Sequence, residues 1–277
     1  MYITESFQYE EVLGFKFGYQ PIGKPNMFSH IYYVDGLLID TGHQRVRKAV
    51  KKTVQELNVE QIFITHHHED HTGNILPLQA IYGCEVYASE MCCELMKNPP
   101  QLSFAQKITW GDREAYQHLT PIENVIYTPN YTFQIIPIPG HAPDMVALYE
   151  PNKKWLFSAD LFINTYIGYF IEDESIREQI NSIQKIITLD FEVLFCSHNP
   201  QLSHGKERLV KKLHFLESFF EEVASLHKKG YSPDEIFKLL ELKENWMVKI
   251  LSGGKLSRLN MVRSVVRDLE RSLINKE

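Results

Sequence analysis

The chain lacks the features that mark membrane-spanning, secreted and disulfide-rich proteins. No apolar run approaches the roughly 20 residues that cross a bilayer, and no basic segment followed by an apolar one stands near Met1. The four cysteines include the adjacent pair Cys92 and Cys93, which suits neither a disulfide framework nor a zinc knuckle. We therefore expect a cytoplasmic protein without a membrane partner.

The composition is that of an ordinary globular protein, but its charge is unevenly distributed. Hydrophobic residues make up 44% of the 277 residues and charged residues 23%, enough for a full core and for more than one average domain. Residues 1–204 hold 14 basic and 24 acidic side chains, whereas residues 205–277 hold 15 and 11. A basic helical tail can contact nucleic acid, although it is more commonly a solvated face.

One short segment concentrates metal-binding side chains. Residues 66–71 read His-His-His-Glu-Asp-His and follow the run Gln-Ile-Phe-Ile at 61–64, which is typical of a buried strand. A strand end can direct neighbouring side chains into one cleft, and imidazole with carboxylate suits a divalent metal such as zinc. A His-rich tract can also be a solvated loop or a fortuitous chelator.

Three further candidate ligands follow apolar runs later in the chain, each where a strand is predicted to end. They are His141, Asp160 and His198. Repeated delivery of a polar side chain by a strand end favours a functional metal centre over chance. One ion takes only three or four protein ligands, so a second ion can share the site.

The order of these residues resembles that of the metallo-β-lactamase superfamily, in its hydrolase branch of glyoxalase II-like and lactonase-like enzymes. The similarity begins with Asp40 in Leu-Ile-Asp-Thr-Gly, continues with the His-x-His-x-Asp-His block and the pair Gly140-His141, and ends with Asp160 and His198. It covers about residues 25–200.

The resemblance implies two divalent metal ions, expected to be zinc, with manganese or iron as alternatives. The implied ligands are His66, His68 and His141 for one ion, and Asp70, His71 and His198 for the other, with Asp160 bridging the two. Asp40 would orient the ligands from behind. Asp70 would also act in catalysis, by orienting the nucleophile or moving a proton.

The implied activity is that of a dinuclear hydrolase acting on a small molecule. A hydroxide held between the ions would attack an ester-type bond, in a lactone, a thioester or a carboxylic ester. We predict that Tyr166 and Tyr169, which follow Asp160, lie in the substrate pocket, although packing is the simpler role for such residues. His67 and Glu69 alternate with the ligands and are expected to point away from the centre.

Two other functional classes remain open. A metal-dependent nuclease or phosphodiesterase would use the basic C-terminal helices to hold its substrate, and its binding would depend steeply on salt. A diiron oxidoreductase, or a metal-binding protein without turnover, forms the third class. His71 in the second metal position favours the hydrolases.

The remaining pattern predicts an α/β (α+β) fold, with strand runs mixed with amphipathic helices. An Asp-Gly pair at 35–36 predicts a hairpin, a helix is predicted at about 72–81, and residues 98–120 read as an irregular excursion. Ser232 and Glu235 fit a capping box, which predicts the start of a helix. The resemblance implies an αββα sandwich. We predict a catalytic domain at 1–204 and a C-terminal helical subdomain at 205–277. That subdomain would line the substrate entrance, pack on the core or form a homodimer.

Overall fold

The structure is a computed structural model that describes residues 1–20, 23–25 and 27–274. Its centre is formed by two β-sheets. The first sheet has seven strands that lie side by side in chain order. They are β1 (Tyr2–Tyr9), β2 (Val12–Tyr19), β3 (Ser29–Val34), β4 (Leu37–Ile39), β5 (Gln61–Ile64), β6 (Glu85–Ala88) and β7 (Thr120–Pro121).

The second sheet has five strands, which also lie side by side in chain order, from β8 to β12. They are β8 (Val125–Tyr127), β9 (Thr132–Pro137), β10 (Val146–Glu150), β11 (Trp155–Ala159) and β12 (Val193–Cys196). Two groups of neighbours are parallel: β4 to β7 in the first sheet, and β11 with β12 in the second. The carboxyl ends of parallel strands meet at one edge, which is where α/β folds place their ligands.

The predicted hairpin at Asp35-Gly36 is confirmed. Val34 of β3 pairs with Leu37 of β4, and the two residues between them have φ angles of 51° and 86°. A two-residue loop with both φ values positive matches the right-handed twist of the flanking strands, and Asp-Gly is one of the few pairs that adopts it at low cost.

Apolar side chains fill three layers, which gives the αββα sandwich that the resemblance implied. Between the sheets lie aromatic residues such as Phe157 and Phe195, whose rings stack at 4.7 Å. Outside the first sheet pack α1 (Arg47–Val54), α3 (Ile75–Tyr82) and α4 (Glu90–Lys97). Outside the second sheet pack α6 (Ile176–Ile186), α7 (Gly205–His227), α8 (Pro233–Leu239) and α10 (Arg258–Ile274).

The C-terminal helices share one apolar cluster with α6 and the second sheet. Ser232 and Glu235 form the capping box that opens α8, as the sequence predicted. A further short helix, α9 (Trp246–Leu251), precedes α10. The domain boundary at 204/205 stays a prediction. Within the described ranges, no helix is both long and apolar enough to cross a membrane.

Two local predictions differ from the structure. The excursion at 98–120 contains a helix, α5 (Phe104–Thr109), that begins with a capping box formed by Ser103 and Gln106. The helix predicted at 72–81 is two helices, α2 (Glu69–Thr72) and α3. The break lies at Gly73, where a Cβ atom would stand 2.5 Å from the backbone nitrogen of Gln44. This close approach holds α2, and the ligands it carries, against the loop that follows β4.

Candidate metal centre

The predicted ligand residues lie at one edge of the sandwich, where the strands of both sheets end. Asp40 follows β4, and His66 follows β5 after Thr65. In the second sheet Asp160 follows β11, and His198 comes two residues after β12. Backbone hydrogen bonds join the sheets here, from Val146 to Thr65 at 3.0 Å and from His30 to Ser197 at 2.7 Å.

The structure brings these side chains together in two groups. One group is His66, His68 and His141, and the other is Asp70, His71, Asp160 and His198. In each group one ligand atom per residue lies within 4.8 Å of all the others. Asp160, which the resemblance implied as a bridge, falls in the second group, and each group combines side chains from both halves of the chain.

Asp160 contacts both groups. Its Oδ2 atom lies 3.3 Å from Nε2 of His141, in the first group, and 3.2 Å from Nε2 of His198, in the second. Its Oδ1 atom lies 3.5 Å from Nε2 of His71. Because one oxygen, Oδ2, lies close to a histidine of each group, Asp160 stands where a bridging ligand would lie.

Several buried polar atoms at this centre have no hydrogen-bond partner among the described residues. They are Nε2 of His66, Nε2 of His71 and Oδ1 of Asp160. Leaving such atoms unsatisfied costs about 1–3 kcal/mol each, so a compact cluster of them fits a site that binds a further group. Imidazole nitrogens and carboxylate oxygens together fit a divalent transition metal.

Burial and neighbouring charge divide the imidazoles into two electrostatic types. Burial, helped by the surrounding imidazoles, holds the pKa of His66 and His68 well below the ordinary value. Burial also acts on His141 and His198, but nearby carboxylates outweigh it and raise their pKa to about 10 and about 9. A metal binds only neutral imidazole, so metal binding at His141 and His198 must displace protons.

The second ring nitrogens of three ligands are fixed by oxygen atoms behind the centre. Oδ2 of Asp40 lies 2.7 Å from Nδ1 of His71, and the same carboxylate accepts bonds from the backbone and hydroxyl of Thr65. The carbonyl of Phe28 lies 2.6 Å from Nδ1 of His198. Oε2 of Glu174 lies 3.4 Å from Nδ1 of His141. Such contacts orient the ring and select the tautomer that leaves Nε2 free.

The backbone beside two of these carboxylates is strained. Ala159 has φ of 45° and Asp40 has φ of 61°, in the left-handed region that non-glycine residues rarely adopt. The register between β11 and β12 also shifts at Ala159. A bulge of this kind redirects the following side chain, which here is that of Asp160.

His67 and Glu69, expected to point away, behave differently from each other. His67 forms a buried pair with Asp144, Nδ1 to Oδ1 at 2.7 Å, and takes no part in either ligand group. Glu69, by contrast, lines the cavity in front of the centre. The prediction for Glu69 was wrong because β5 already ends at Ile64 and Glu69 is the first residue of α2, so strand alternation does not decide where its side chain points.

A cavity of about 350 Å³ opens in front of the centre, and five of the predicted ligands line it. They are His68, Asp70, His141, Asp160 and His198. The walls are largely aromatic and aliphatic, including Trp110 from the excursion and Phe170. Tyr166 and Tyr169 both line the cavity. Tyr166 also packs edge-on against Phe215, so it has a packing contact as well.

The excursion and the C-terminal tail close part of the cavity together. Nζ of Lys255 donates to Oε1 of Gln106 at 3.1 Å, and Nε2 of Gln106 donates to Glu69 at 3.0 Å. Lys212 of α7 is 1% exposed and donates to the carbonyl of Leu161 at 2.7 Å. Residues of the C-terminal tail therefore line part of the cavity in front of the ligand groups.

Comparison with known proteins agrees with this geometry. A family model described as the metallo-beta-lactamase superfamily matches residues 26–198, which is more than half of the chain and includes every predicted ligand. The chain belongs to the metallo-β-lactamase superfamily. The predicted family is therefore confirmed.

Curated relatives in the superfamily are named hydroxyacylglutathione hydrolase. One from Bdellovibrio bacteriovorus is 30% identical over 144 residues, which cover 52% of this chain and 50% of that protein. One from Serratia proteamaculans is 26% identical over 219 residues, 77% of each chain. The chain spans only part of these relatives, half of the first. They agree with the predicted class, a metal-dependent hydrolase, while the reaction in their name reaches this chain only as a proposal.

Solved structures in the superfamily show the same fold. A metallo-beta-lactamase family protein from Thermus thermophilus aligns with a TM-score of 0.70 at 16% identity, covering 95% of this chain and 94% of that one. A metallo-beta-lactamase from Pontibacter korlensis aligns with a TM-score of 0.62 at 20% identity, covering 78% and 99%. The predicted fold class is confirmed.

Acid should destabilise this superfamily member partly through His30, which lies behind the centre. The ring is 6% exposed, Nδ1 is bonded to the carbonyl of Ser197, and burial lowers its pKa to about 4. The unfolded chain binds this proton near pH 6.5 and the folded chain only near pH 4, so stability falls as pH drops through that window. Between pH 7 and pH 5 the loss is on the order of 2 kcal/mol.

The measurement is urea unfolding of metal-free protein at pH 7 and pH 5. His30→Gln should show a smaller acid loss than the wild type, by about 2 kcal/mol. His118→Gln, at an exposed position, should behave like the wild type. An equal acid loss in His30→Gln and the wild type would contradict the prediction.

Proposed function

We propose that the protein is a dinuclear hydrolase that cleaves an ester-type bond, in a lactone, a thioester or a carboxylic ester of a small molecule. The observation that carries this proposal is the pair of ligand groups meeting at Asp160 at the base of an apolar cavity. We propose zinc as the metal, since a set of imidazoles and carboxylates suits it, although manganese and iron accept the same donors.

Each residue has a definite part in this proposal. His66, His68 and His141 would hold one ion, Asp70, His71 and His198 the other, and Asp160 both. When bound, two such ions supply a Lewis acid for the substrate oxygen and lower the pKa of the attacking water toward neutrality. Asp40, Glu174 and the Phe28 carbonyl keep the ring planes of three histidines fixed.

Asp70 is the proposed proton carrier. Its carboxylate lines the cavity and is 7% exposed. Oδ2 lies 3.5 Å from Nε2 of His198 and 3.7 Å from Nε2 of His71. A carboxylate at the cavity floor can orient the attacking water, accept a proton from it and then pass that proton to the leaving group.

The cavity walls support an acyl substrate. Tyr166 and Tyr169 present aromatic rings with hydroxyl groups to the cavity, alongside Phe170 and Trp110. Such walls favour an apolar acyl group, and a tyrosine hydroxyl can hold a carbonyl oxygen. The relatives named hydroxyacylglutathione hydrolase agree with an acyl substrate. We also propose a cytoplasmic location, since all four cysteines are unpaired.

The experiment is a hydrolysis panel on zinc-loaded protein. The panel contains lactones, thioesters, carboxylic esters, phosphodiesters and single-stranded RNA, each measured beside Asp160→Ala. We expect turnover of at least one carbonyl substrate that disappears in the variant. Turnover confined to phosphodiesters or RNA, with steep salt dependence, would overturn the proposal and favour a nuclease with a basic tail. Redox activity without hydrolysis would favour the diiron class.

A further inference from the structure

Seven exposed apolar side chains surround the mouth of the cavity. Three of them line it and also face solvent: Met27, Ile163 and Tyr166, which is 72% exposed. The other four lie on two short helices beside it. They are Phe104 and Ile108 on α5, and Trp246 and Ile250 on α9. We call these seven residues the mouth surface. Exposed apolar residues gathered in this way mark an interaction site more often than isolated ones do.

The two helices carry the same arrangement of side chains. In α5 an aromatic residue, Phe104, is followed by Lys107 and Ile108, and in α9 Trp246 is followed by Lys249 and Ile250. Positions i, i+3 and i+4 share one face of a helix. Phe104 is 81% exposed, Trp246 65% and Ile250 74%. Both helices therefore present an aromatic residue, a lysine and an isoleucine to the outside.

The same two segments also contribute residues to the cavity. Gln106 of α5 lines it, and so do Ser252 and Lys255, which follow α9. The hydrogen bond from Lys255 to Gln106 joins the two segments. The exposed residues of α5 and α9 therefore belong to two segments that also contribute residues to the cavity.

We propose that the mouth surface docks onto an anionic lipid bilayer. Helices that lie in a membrane interface combine aromatic and aliphatic side chains with lysines, and tryptophan favours the headgroup level. Lysines near the apolar face are attracted by anionic headgroups. Peripheral docking needs no spanning helix, so it is compatible with the short apolar runs of this sequence, although it departs from the expectation of no membrane partner.

The charges on this face favour a bilayer over a second copy of the chain. A twofold contact places the same patch against itself, so Lys107 and Lys249 would face a surface that also carries these lysines, whereas an anionic surface attracts both. Lys107 is paired with Asp112 at 2.9 Å, and Lys249 lies 4.0 Å from Glu244. These acidic neighbours weaken the attraction, so the apolar side chains should contribute more to binding than the lysines.

Docking would turn the cavity entrance toward the lipid. An acyl chain linked through an ester or thioester could then pass from the bilayer into the aromatic cavity without crossing water. This consequence rests on the proposed function, whereas docking itself does not.

The test is sedimentation of metal-free protein with vesicles, in the absence of substrate. We expect binding to an equal mixture of phosphatidylcholine and phosphatidylglycerol, and binding weaker by about fivefold or more to phosphatidylcholine alone. The fluorescence of Trp246 gives a second readout. The chain has three tryptophans, and Trp110 and Trp155 are buried. A shift of emission to shorter wavelength on vesicle addition therefore reports Trp246.

Two double variants separate the mouth surface from exposed apolar residues in general. Phe104→Ser with Ile250→Ser should weaken vesicle binding by about tenfold or more. Ile81→Ser with Met91→Ser removes two residues that are 45% and 51% exposed on α3 and α4, and it should bind like the wild type. Lys107→Glu with Lys249→Glu should lower binding severalfold on the anionic vesicles only.

Three results would overturn docking. The first is that the protein does not bind anionic vesicles. The second is that both serine double variants lose vesicle binding equally. The third is that the protein does not bind vesicles but self-associates in ultracentrifugation, and that Phe104→Ser with Ile250→Ser abolishes this self-association. The last would assign the surface to a second copy. Hydrolysis of a soluble ester without vesicles tests the proposed function separately, so either proposal can fail alone.

Discussion

Replacing Asp160 with alanine should lower hydrolysis by about 10³-fold or more and release at least one metal equivalent per chain. The carboxylate is the contact between the two ligand groups, 3.3 Å from His141 on one side and 3.2 Å from His198 on the other. Without this carboxylate, each ion would lose the ligand that the two ions are proposed to share. The measurements are turnover of the panel's best substrate and metal content by mass spectrometry.

Asp160→Asn is the matched control for shape. It fills the same space and keeps one oxygen, but it carries no charge, so we expect a smaller loss of metal and activity. Unfolding curves of both variants show whether the sandwich persists. A bridging role would be ruled out if the Asp160→Ala variant is folded, keeps both ions and retains a tenth of the wild-type activity.

Replacing Asp40 should weaken metal binding at the second group by about 10–100-fold without removing a ligand. Its carboxylate accepts from Nδ1 of His71 and from the backbone N–H of Thr65. Asp40→Ala leaves both donors buried and unsatisfied, which should also cost about 1–3 kcal/mol of stability. The two donors bond to different oxygens of Asp40, Oδ2 for His71 and Oδ1 for Thr65. Asparagine has an oxygen at only one of these positions, so it can accept from only one of the two donors. Asp40→Asn should therefore lose metal affinity nearly as severely while costing less stability.

Glu150→Ala is the matched control for this prediction. Glu150 is another buried carboxylate, 1% exposed, and accepts the backbone N–H of Lys153 at 2.6 Å. It lies at the end of β10 away from the metal centre. Its loss should reduce stability without changing metal affinity in a competition titration. Equal effects on metal affinity in Glu150→Ala and Asp40→Ala would show that Asp40 acts only through stability.

The sequence predicted structure and site best where a residue type has few structural or chemical roles. Imidazoles and carboxylates at predicted strand ends, such as His66 and Asp160, indicated the centre because a strand end fixes both position and direction. The hairpin at Asp35-Gly36 was predictable for a similar reason, since few residue pairs adopt its dihedral angles at low cost.

Residues that reach the site from irregular segments could not be identified in this way. Glu174 faces His141, but in the sequence it is one of three consecutive acidic residues at 172–174. Lys212 lies on a helix face whose neighbours are ordinary core and surface positions. Whether such residues meet the centre depends on how the tail folds back over the second sheet, a tertiary contact that leaves no periodic signal.

The division of the ligands between the sheets has a thermodynamic consequence. His66, His68, Asp70 and His71 follow the first sheet, and His141, Asp160 and His198 belong to the second. Each ion would therefore cross-link the two halves of the sandwich, and separating the sheets would destroy both sites at once. Metal affinity and folding are then linked equilibria. A substitution between the sheets, at Phe157 for instance, would lower the apparent metal affinity without touching a ligand.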